Sequence, residues 1–389
     1  MPPAPRDDIL LATMPDVRPL ASILRALAFK HQATVRIDEE GLRFTVEDGR
    51  SLQAHAYIAA SAFSSYQFEL DPEDPAAYVD GRPEPSDPSS SASPPSSPVP
   101  TSAPYCQMTV SLATILECLN IFGNAGGSSN PFKREGDGED DEGGGGGGRW
   151  RGGKRRRMGS EEFEEPRGGG RLAHEEGKTT SLRLSFAGEG QPLVLLLEES
   201  GIVTRCEITS YEPEALLDLA FSDEDKVQRL IIKSDWLRDA LAELPPSSEK
   251  LTISFSPPQD SRARGRGGRY RYDDSFGGGN DGEEEEVPLF RIESVGTMGS
   301  TEMDYSDDKD VLEAFECDHP LRNTYKFSHI QLTKVALQNS IKASIRTDAG
   351  GLVSFQFMIP LSPRGAKASI AENKIGFVEF LCVALDEDY

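Results

Sequence analysis

One short pattern recurs four times in this sequence and limits what the chain can fold into: an amphipathic helix running straight into a β-hairpin. In the first copy Leu20, Ile23, Leu24, Leu27 and Ala28 fall at i, i+3, i+4, i+7 and i+8, one face of a helix. Ala33, Val35 and Ile37 then alternate with Thr34, Arg36 and Asp38. After the turn "DEEG", Leu42, Phe44 and Val46 alternate with Arg43, Thr45 and Glu47. That is a hairpin with one buried face. In the second copy Leu112, Ile115, Leu116 and Leu119 share the helical spacing, and Leu182, Leu184 and Phe186 lead through "AGEGQ" into "PLVLLLEE". The third has Leu237, Ala240, Leu241 and Leu244, then Leu251, Ile253 and Phe255, with the return strand at Phe290 and Ile292. The fourth is fainter: Leu332, Val335 and Ala336 predict a short helix. Ile341, Ala343 and Ile345 alternate before "DAGG", and Val353, Phe355, Phe357 and Ile359 return.

The copies are separated by stretches of another composition. Residues 71–104 are rich in Pro and Ser, 124–178 mix Gly runs with charge blocks, and 260–286 pass from "SRARGRGGRYRY" to "GGGNDGEEEE". None carries enough apolar residues to offset its ordering entropy, so all three read as disordered insertions on the surface of folded domains. The expected class is α+β, with two similar domains of two units each. Residues 1–210 form the first, 211–226 the connector and 227–389 the second. The pattern alone also fits an ordinary pair of α+β domains.

The formal net charge is −24, so any contact with nucleic acid must use a local basic face. The five cysteines (Cys106, Cys118, Cys206, Cys317, Cys382) are scattered, with no CxxC and no disulfide framework, which fits a reducing compartment. No run approaches the roughly 18–20 apolar residues of a membrane span. "MPPAPRDDIL" lacks the charged and apolar regions of a signal peptide. A cytosolic or nuclear protein without membrane contact is expected.

Several stretches carry a family likeness. "FKHQATVRIDEEGLRFTVEDGRSLQAHAYIAASAFSSYQF", "LECLNIFG", "LVLLLEESGIVTRCEI", "YEPE", "SDWLRDALAEL", "ASIRTDAGGLVSFQFMI" and "GFVEFLCVALDED" resemble the family of the Rad-One subunit of the nine-one-one checkpoint clamp. That complex is a heterotrimeric relative of the proliferating cell nuclear antigen. The resemblance spans nearly the whole chain outside the insertions; "SIRTDAGG" and "LEESGIVT" are its more specific parts. It implies a PCNA-like DNA-clamp fold, helices on the inner face and antiparallel sheets outside. It also implies a non-catalytic nuclear subunit that closes a ring round duplex DNA with two other clamp subunits. A clamp loader would place that ring at damage sites, where it serves checkpoint signalling and recruits repair factors. No cofactor is implied.

On that reading the helices should turn cations toward phosphate, and Arg25, Lys30, Lys233, Arg238 and Lys334 are the DNA-facing candidates. Each is equally consistent with a solvated surface charge. The second helix offers only Glu117, and Asp235, Asp239 and Glu243 dilute the third. Subunit-interface strands are expected at Gly201, Val203, Arg205 and Glu207, and at Thr297, Gly299, Thr301 and Met303, unless they pair internally. The connector residues Tyr211, Glu212, Pro213, Leu216 and Leu217 match the loop on which clamps often dock client peptides, and are equally consistent with a plain linker.

The basic run "RWRGGKRRRMG" offers Lys154, Arg155, Arg156 and Arg157 as a nuclear-import signal. That run and "RARGRGGRYR" also carry Arg beside Trp150, Tyr270 and Tyr272, a composition that fits nucleic-acid binding and equally a solvated filler neutralised by the flanking acid blocks. A metal-dependent 3′–5′ exonuclease is the alternative in another class, since some relatives carry that label. It needs a compact carboxylate cluster, and with 65 acidic residues chance neighbours such as Glu47–Asp48 and Asp386–Asp388 carry little weight. His31, His55, His174, His319 and His329 show no metal-ligand spacing, and no GxSxG occurs. No catalytic or metal-binding residue is assigned.

Overall fold

The computed structural model describes residues 8–70, 104–123, 125, 179–213, 215–217, 219, 221, 226–258, 288–296, 299–361 and 375–385. Apart from Pro104 and Ala125, the three predicted insertions lie outside the described residues, as do Thr297, Lys154, Arg155, Arg156, Arg157 and Asp386–Asp388.

Each of the four sequence copies becomes a unit with one plan: a leading strand, the helix, and a three-strand meander. Unit one is β1 (Leu10–Met14), α1 (Arg18–Arg25), β2 (Gln32–Asp38), β3 (Gly41–Asp48) and β4 (Leu52–Ala59), trailed by β5 (Ser65–Phe68). Unit two is β6 (Cys106–Ser111), α2 (Leu112–Leu119), β7 (Ser181–Phe186), β8 (Leu193–Glu199) and β9 (Ile202–Ile208), trailed by β10 (Ser210–Tyr211). Unit three is β11 (Lys226–Lys233), α3 (Ser234–Glu243), β12 (Ser248–Phe255), β13 (Phe290–Gly296) and β14 (Gly299–Tyr305), trailed by β15 (Leu312–Cys317). Unit four is β16 (Leu321–Lys326), the pair α4 (Phe327–Leu332) and α5 (Lys334–Asn339), then β17 (Lys342–Asp348), β18 (Val353–Pro360) and β19 (Ile375–Cys382).

Local chemistry sets the helix starts. Asp16 accepts from the Arg18 amide at 3.0 Å and holds the Arg18 guanidinium, while Pro19 fits the first turn of α1. Ser111 caps α2, its Oγ accepting from the Thr114 amide at 3.2 Å. In unit four the helix breaks at Thr333, whose hydroxyl donates to the Ile330 carbonyl at 2.7 Å. The break corrects the predicted apolar face. Phe327, Ile330, Ala336 and Leu337 are buried, Leu332 is only partly covered, and Val335 is exposed. Ile341, expected on the buried face of the next strand, is exposed just before β17 begins.

The leading strands are exchanged between sister units. β1 pairs with β7 of unit two, and β6 with β2 of unit one. The second half repeats this: β11 pairs with β17 and β16 with β12. Three antiparallel sheets result, ordered β5-β1-β7-β8-β9, β10-β6-β2-β3-β4-β19-β18-β17-β11-β15, and β14-β13-β12-β16. The ten-stranded sheet runs through both halves because β4 pairs with β19, from Leu52↔Cys382 to Tyr57↔Phe377.

The helices form one row, α2 beside α1, α1 beside α5, and α5 beside α3. Leu20, Ile23 and Leu24 of α1 and Leu237 and Leu241 of α3 point into one continuous apolar core shared with the sheets. Gly376 lets α1 approach β19, since a Cβ there would collide with the Ile23 side chain. Phe29, just past α1, packs 6.2 Å from Phe380 of β19 and closes the same junction. Among the described residues no helix is long and apolar enough to cross a membrane.

Candidate nucleic-acid interface and assembly edges

The five predicted DNA-facing cations all lie on or beside the helix row, but in unequal states. Arg25 is half-buried at the end of α1, where its Nη1 donates to the Ala125 carbonyl at 3.0 Å and burial lowers its pKa. Lys30 pairs with Asp48 at 2.7 Å, and that hydrogen bond holds the Asp48 carboxyl below its ordinary range. Arg238 sits between Asp235 at 2.8 Å and Asp239 at 3.5 Å. Lys233, exposed before α3, and Lys334, at the start of α5, make no ion pair among the described residues. The acidic side chains Glu117, Asp235, Asp239 and Glu243 share the row and are exposed.

Among the six edge strands of the three sheets, β9 and β14 are the two that end a unit's meander. β9 has β8 on one side and no strand on the other among the described residues; β14 likewise has only β13. Val203, Arg205 and Glu207 lie along β9, with Gly201 in the turn before it, and Gly299, Thr301 and Met303 lie along β14. Ile202 and Val203 are 62% and 61% exposed, and Ile121 just past α2 is 49% exposed, so the β9 side carries apolar side chains in solvent. Arg205 and Glu207 meet at 2.8 Å. In the chain plan β9 and β14 occupy the place that β4 and β19 hold in their own units, the last strand of the meander. β4 and β19 satisfy each other; β9 and β14 have no such partner within the described chain.

Leu217 and Phe221 of the connector lie against the face of the ten-stranded sheet opposite the apolar core. Tyr211, at its head, is still paired with Thr109 as part of β10, and Lys226 already opens β11. Between them the Leu217 main chain is gripped twice: its amide donates to Glu47 at 2.9 Å and its carbonyl accepts from the Gln53 amide at 2.8 Å. Phe221 lies under the Arg346 guanidinium, 4.7 Å from the ring centre. Tyr211 and Leu217 are exposed, Glu212 is exposed, and Pro213 and Leu216 are half-covered.

Beneath the connector is a buried polar group that sequence reasoning did not find. Glu379 of β19 accepts from Arg346 at 2.9 Å, Ser354 at 2.6 Å, Gln356 at 3.2 Å and, through its other oxygen, Tyr57 at 3.2 Å. Burial pushes the Tyr57 hydroxyl up to about 12, with the Glu379 charge adding to it. His55 faces away from the apolar core, yet it is buried. Its Nδ1 lies 3.0 Å from the Thr45 hydroxyl, and desolvation drives its pKa down to about 4 against the opposing charge of Glu379. Beside this group an open depression of roughly 450 Å³ is lined by Arg36, Arg43, Tyr57 and Phe377 among others. Among the described residues no group of three or more His, Cys, Asp and Glu side chains is placed to hold a metal ion.

Comparison with known proteins places this geometry. The family described as "Repair protein Rad1/Rec1/Rad17" matches residues 9–359. The "Cell cycle checkpoint protein RAD1" of Homo sapiens is 28% identical, over 97% of this chain and 92% of its own. The "DNA repair exonuclease REC1" of Mycosarcoma maydis is 30% identical, over 97% of this chain and 96% of its own. The "DNA damage checkpoint control protein rad1" of Schizosaccharomyces pombe is 25% identical over 95% and 84%. A match covering most of the chain, together with full-length relatives, shows that this protein belongs to the Rad1/Rec1/Rad17 repair-protein family.

Proposed function

We propose that this chain is a non-catalytic subunit of a heterotrimeric ring clamp that encircles DNA in the nucleus, supporting damage-checkpoint signalling and bringing in repair factors. The observation that carries the reading is the equivalence of β9 and β14 to the joined pair β4 and β19. A strand pairing that joins the two halves of one chain can join β9 of one clamp subunit to the β14 counterpart of the next, and three such joints close a ring. The halves on either side of the connector then act as two clamp domains. The helix row lines the hole, with Lys233 and Lys334 as cations that make no ion pair among the described residues. Contacts of this kind read phosphate and not sequence, which suits a ring that slides after a clamp loader has placed it. The connector and the depression with Tyr57 and Phe377 offer client peptides a place on the outer face.

Two unlike neighbours fit better than copies of this chain. Pairing β14 with β9 of a second copy would bring Glu117 of α2 toward Asp239 and Glu243 of α3, all exposed and of one sign. The test is co-expression with candidate clamp subunits, followed by loading onto closed circular and linear DNA. A one-to-one-to-one ring retained on the circle and lost from the linear molecule is expected; recovery only as a monomer would refute the reading.

The name of the Mycosarcoma maydis relative supports a second reading, a 3′–5′ exonuclease. Purified chain incubated with Mg²⁺ or Mn²⁺ and end-labelled DNA separates the two. Shortening of the labelled end, abolished by a carboxylate substitution, favours the nuclease.

A further inference from the structure

We propose that Trp236 is the anchor by which this chain holds the helix of a different clamp subunit docked along β14; the inference rests on the ring reading and adds to it a specific contact. Trp236 lies in the first turn of α3 and is 47% exposed, although Leu237 and Leu241 of the same helix are buried. A tryptophan left this open on a short, well-packed helix leaves a large apolar surface in water.

The flank on which it sits is defined by its neighbours. Trp236, Asp239 and Glu243 recur at three- and four-residue spacing, so they share one side of the helix. Asp239 and Glu243 are also the charges felt by the Tyr305 hydroxyl at the end of β14. That side of α3 is therefore turned toward the open edge, while α5 and the strands β11 and β17 pack against the helix elsewhere.

The junction inside the chain indicates what covers such a flank. Where β4 meets β19, α1 and α5 come together above the paired strands, and Phe29 beside α1 seals the seam against Phe380 at 6.2 Å. A strand added to β14 in the same manner would bring its own helix beside α3, onto Trp236. The occupant is thus a subunit with an open strand and a helix of its own. That helix must offer an apolar recess for the indole and Lys or Arg for Asp239 and Glu243. A second copy of this chain offers Glu117 there instead. Central aromatic anchors of this kind dominate interface energetics.

The chain has two tryptophans, Trp150 and Trp236, so Trp150→Phe in the full-length protein leaves one reporter. On mixing with its two clamp partners, Trp236 emission should move to shorter wavelength and iodide quenching should fall. Trp236→Ala should fold normally by circular dichroism yet weaken assembly by about tenfold or more, with Trp236→Phe retaining most of it. A ring that forms with unchanged Trp236 emission, or equally well with Trp236→Ala, overturns the anchor and leaves the clamp reading standing. No complex at all overturns both. An emission shift on concentrating the chain alone, or only on adding DNA to the finished ring, would assign Trp236 to self-association or to DNA and also overturn it.

Discussion

Arg346 Nη2 lies 2.9 Å from Glu379 Oε1, and the two side chains are only 12% and 10% exposed. They come from β17 and β19, and Ser354 on the intervening β18 donates to the same carboxylate oxygen at 2.6 Å. Removing one member of a buried pair leaves the other charged and desolvated. Glu379→Ala should therefore destabilise the chain by about 3–5 kcal/mol. Glu379→Gln, which keeps a hydrogen-bonding oxygen, should cost less. Urea unfolding followed by far-UV circular dichroism measures both.

His55 predicts the acid side of the stability curve. Its pKa falls from the ordinary 6.5 to about 4 in the folded chain, because burial disfavours the charged ring. The unfolded chain then binds a proton that the folded chain refuses between those values, so stability declines as pH drops from about 6.5 toward 4. The loss is on the order of 3 kcal/mol if His55 acts alone; Glu379 and Arg43 face the ring and will modify it. His55→Gln should flatten that limb of the curve. A wild-type midpoint in urea that does not change across the window would refute the assignment.

The connector should respond to two side chains far from it in sequence. Gln53→Ala removes the donor to the Leu217 carbonyl and Glu47→Ala the acceptor for its amide. Each hydrogen bond stabilises the docked loop by about 1 kcal/mol, so the double variant should raise its open fraction roughly thirtyfold. Limited proteolysis and amide exchange between Tyr211 and Phe221 should accelerate, while exchange in β3 and β4 stays slow.

In the ring reading, Lys233→Glu with Lys334→Glu should weaken retention on circular DNA at low salt. The same pair should make the logarithmic salt dependence shallower by about one unit for each lysine. Arg25→Ala should act differently, lowering thermal stability through the lost contact with Ala125 and leaving the salt slope nearly unchanged. A uniform effect of all three on the slope would mean that Arg25 is turned outward in the assembled protein.

The units themselves could be read from periodicity because their apolar positions face one core. The faces of α1, α2 and α3 and the alternation in the hairpins, apart from Ile341 in the fourth, lie where the spacing puts them. The fourth helix was misread because the Thr333 hydroxyl breaks it and resets the phase, so a single period carried across Leu332 and Val335 mixes two faces. Exchange of the leading strands was invisible: β1 and β7 are short, distant in sequence and separated by two insertions. His55, Arg346 and Glu379 sit at positions that alternation assigns to solvent. Phe221 of the connector lies against Arg346, while Glu379 and His55 are held by side chains of neighbouring strands, Tyr57, Ser354 and Thr45; a period of two records none of these contacts. Lys30 and Arg238 were legible as cations, but Asp48 and Asp235 as their partners needed three dimensions or a helix phase.

The exchanged leading strands also set an order for synthesis. β1 emerges from the ribosome early, yet its central partner β7 begins only at Ser181, after both N-terminal insertions have been made. Until then β1 can pair on one side only, with the short β5, and β11 likewise has only β15 until β17 is made. Closing the longer loop adds little entropy, since that cost grows only logarithmically with length. What grows is the time one edge of the nascent strand stays unpaired, so a translational pause before Ser181 should prolong binding by chaperones without changing the final stability.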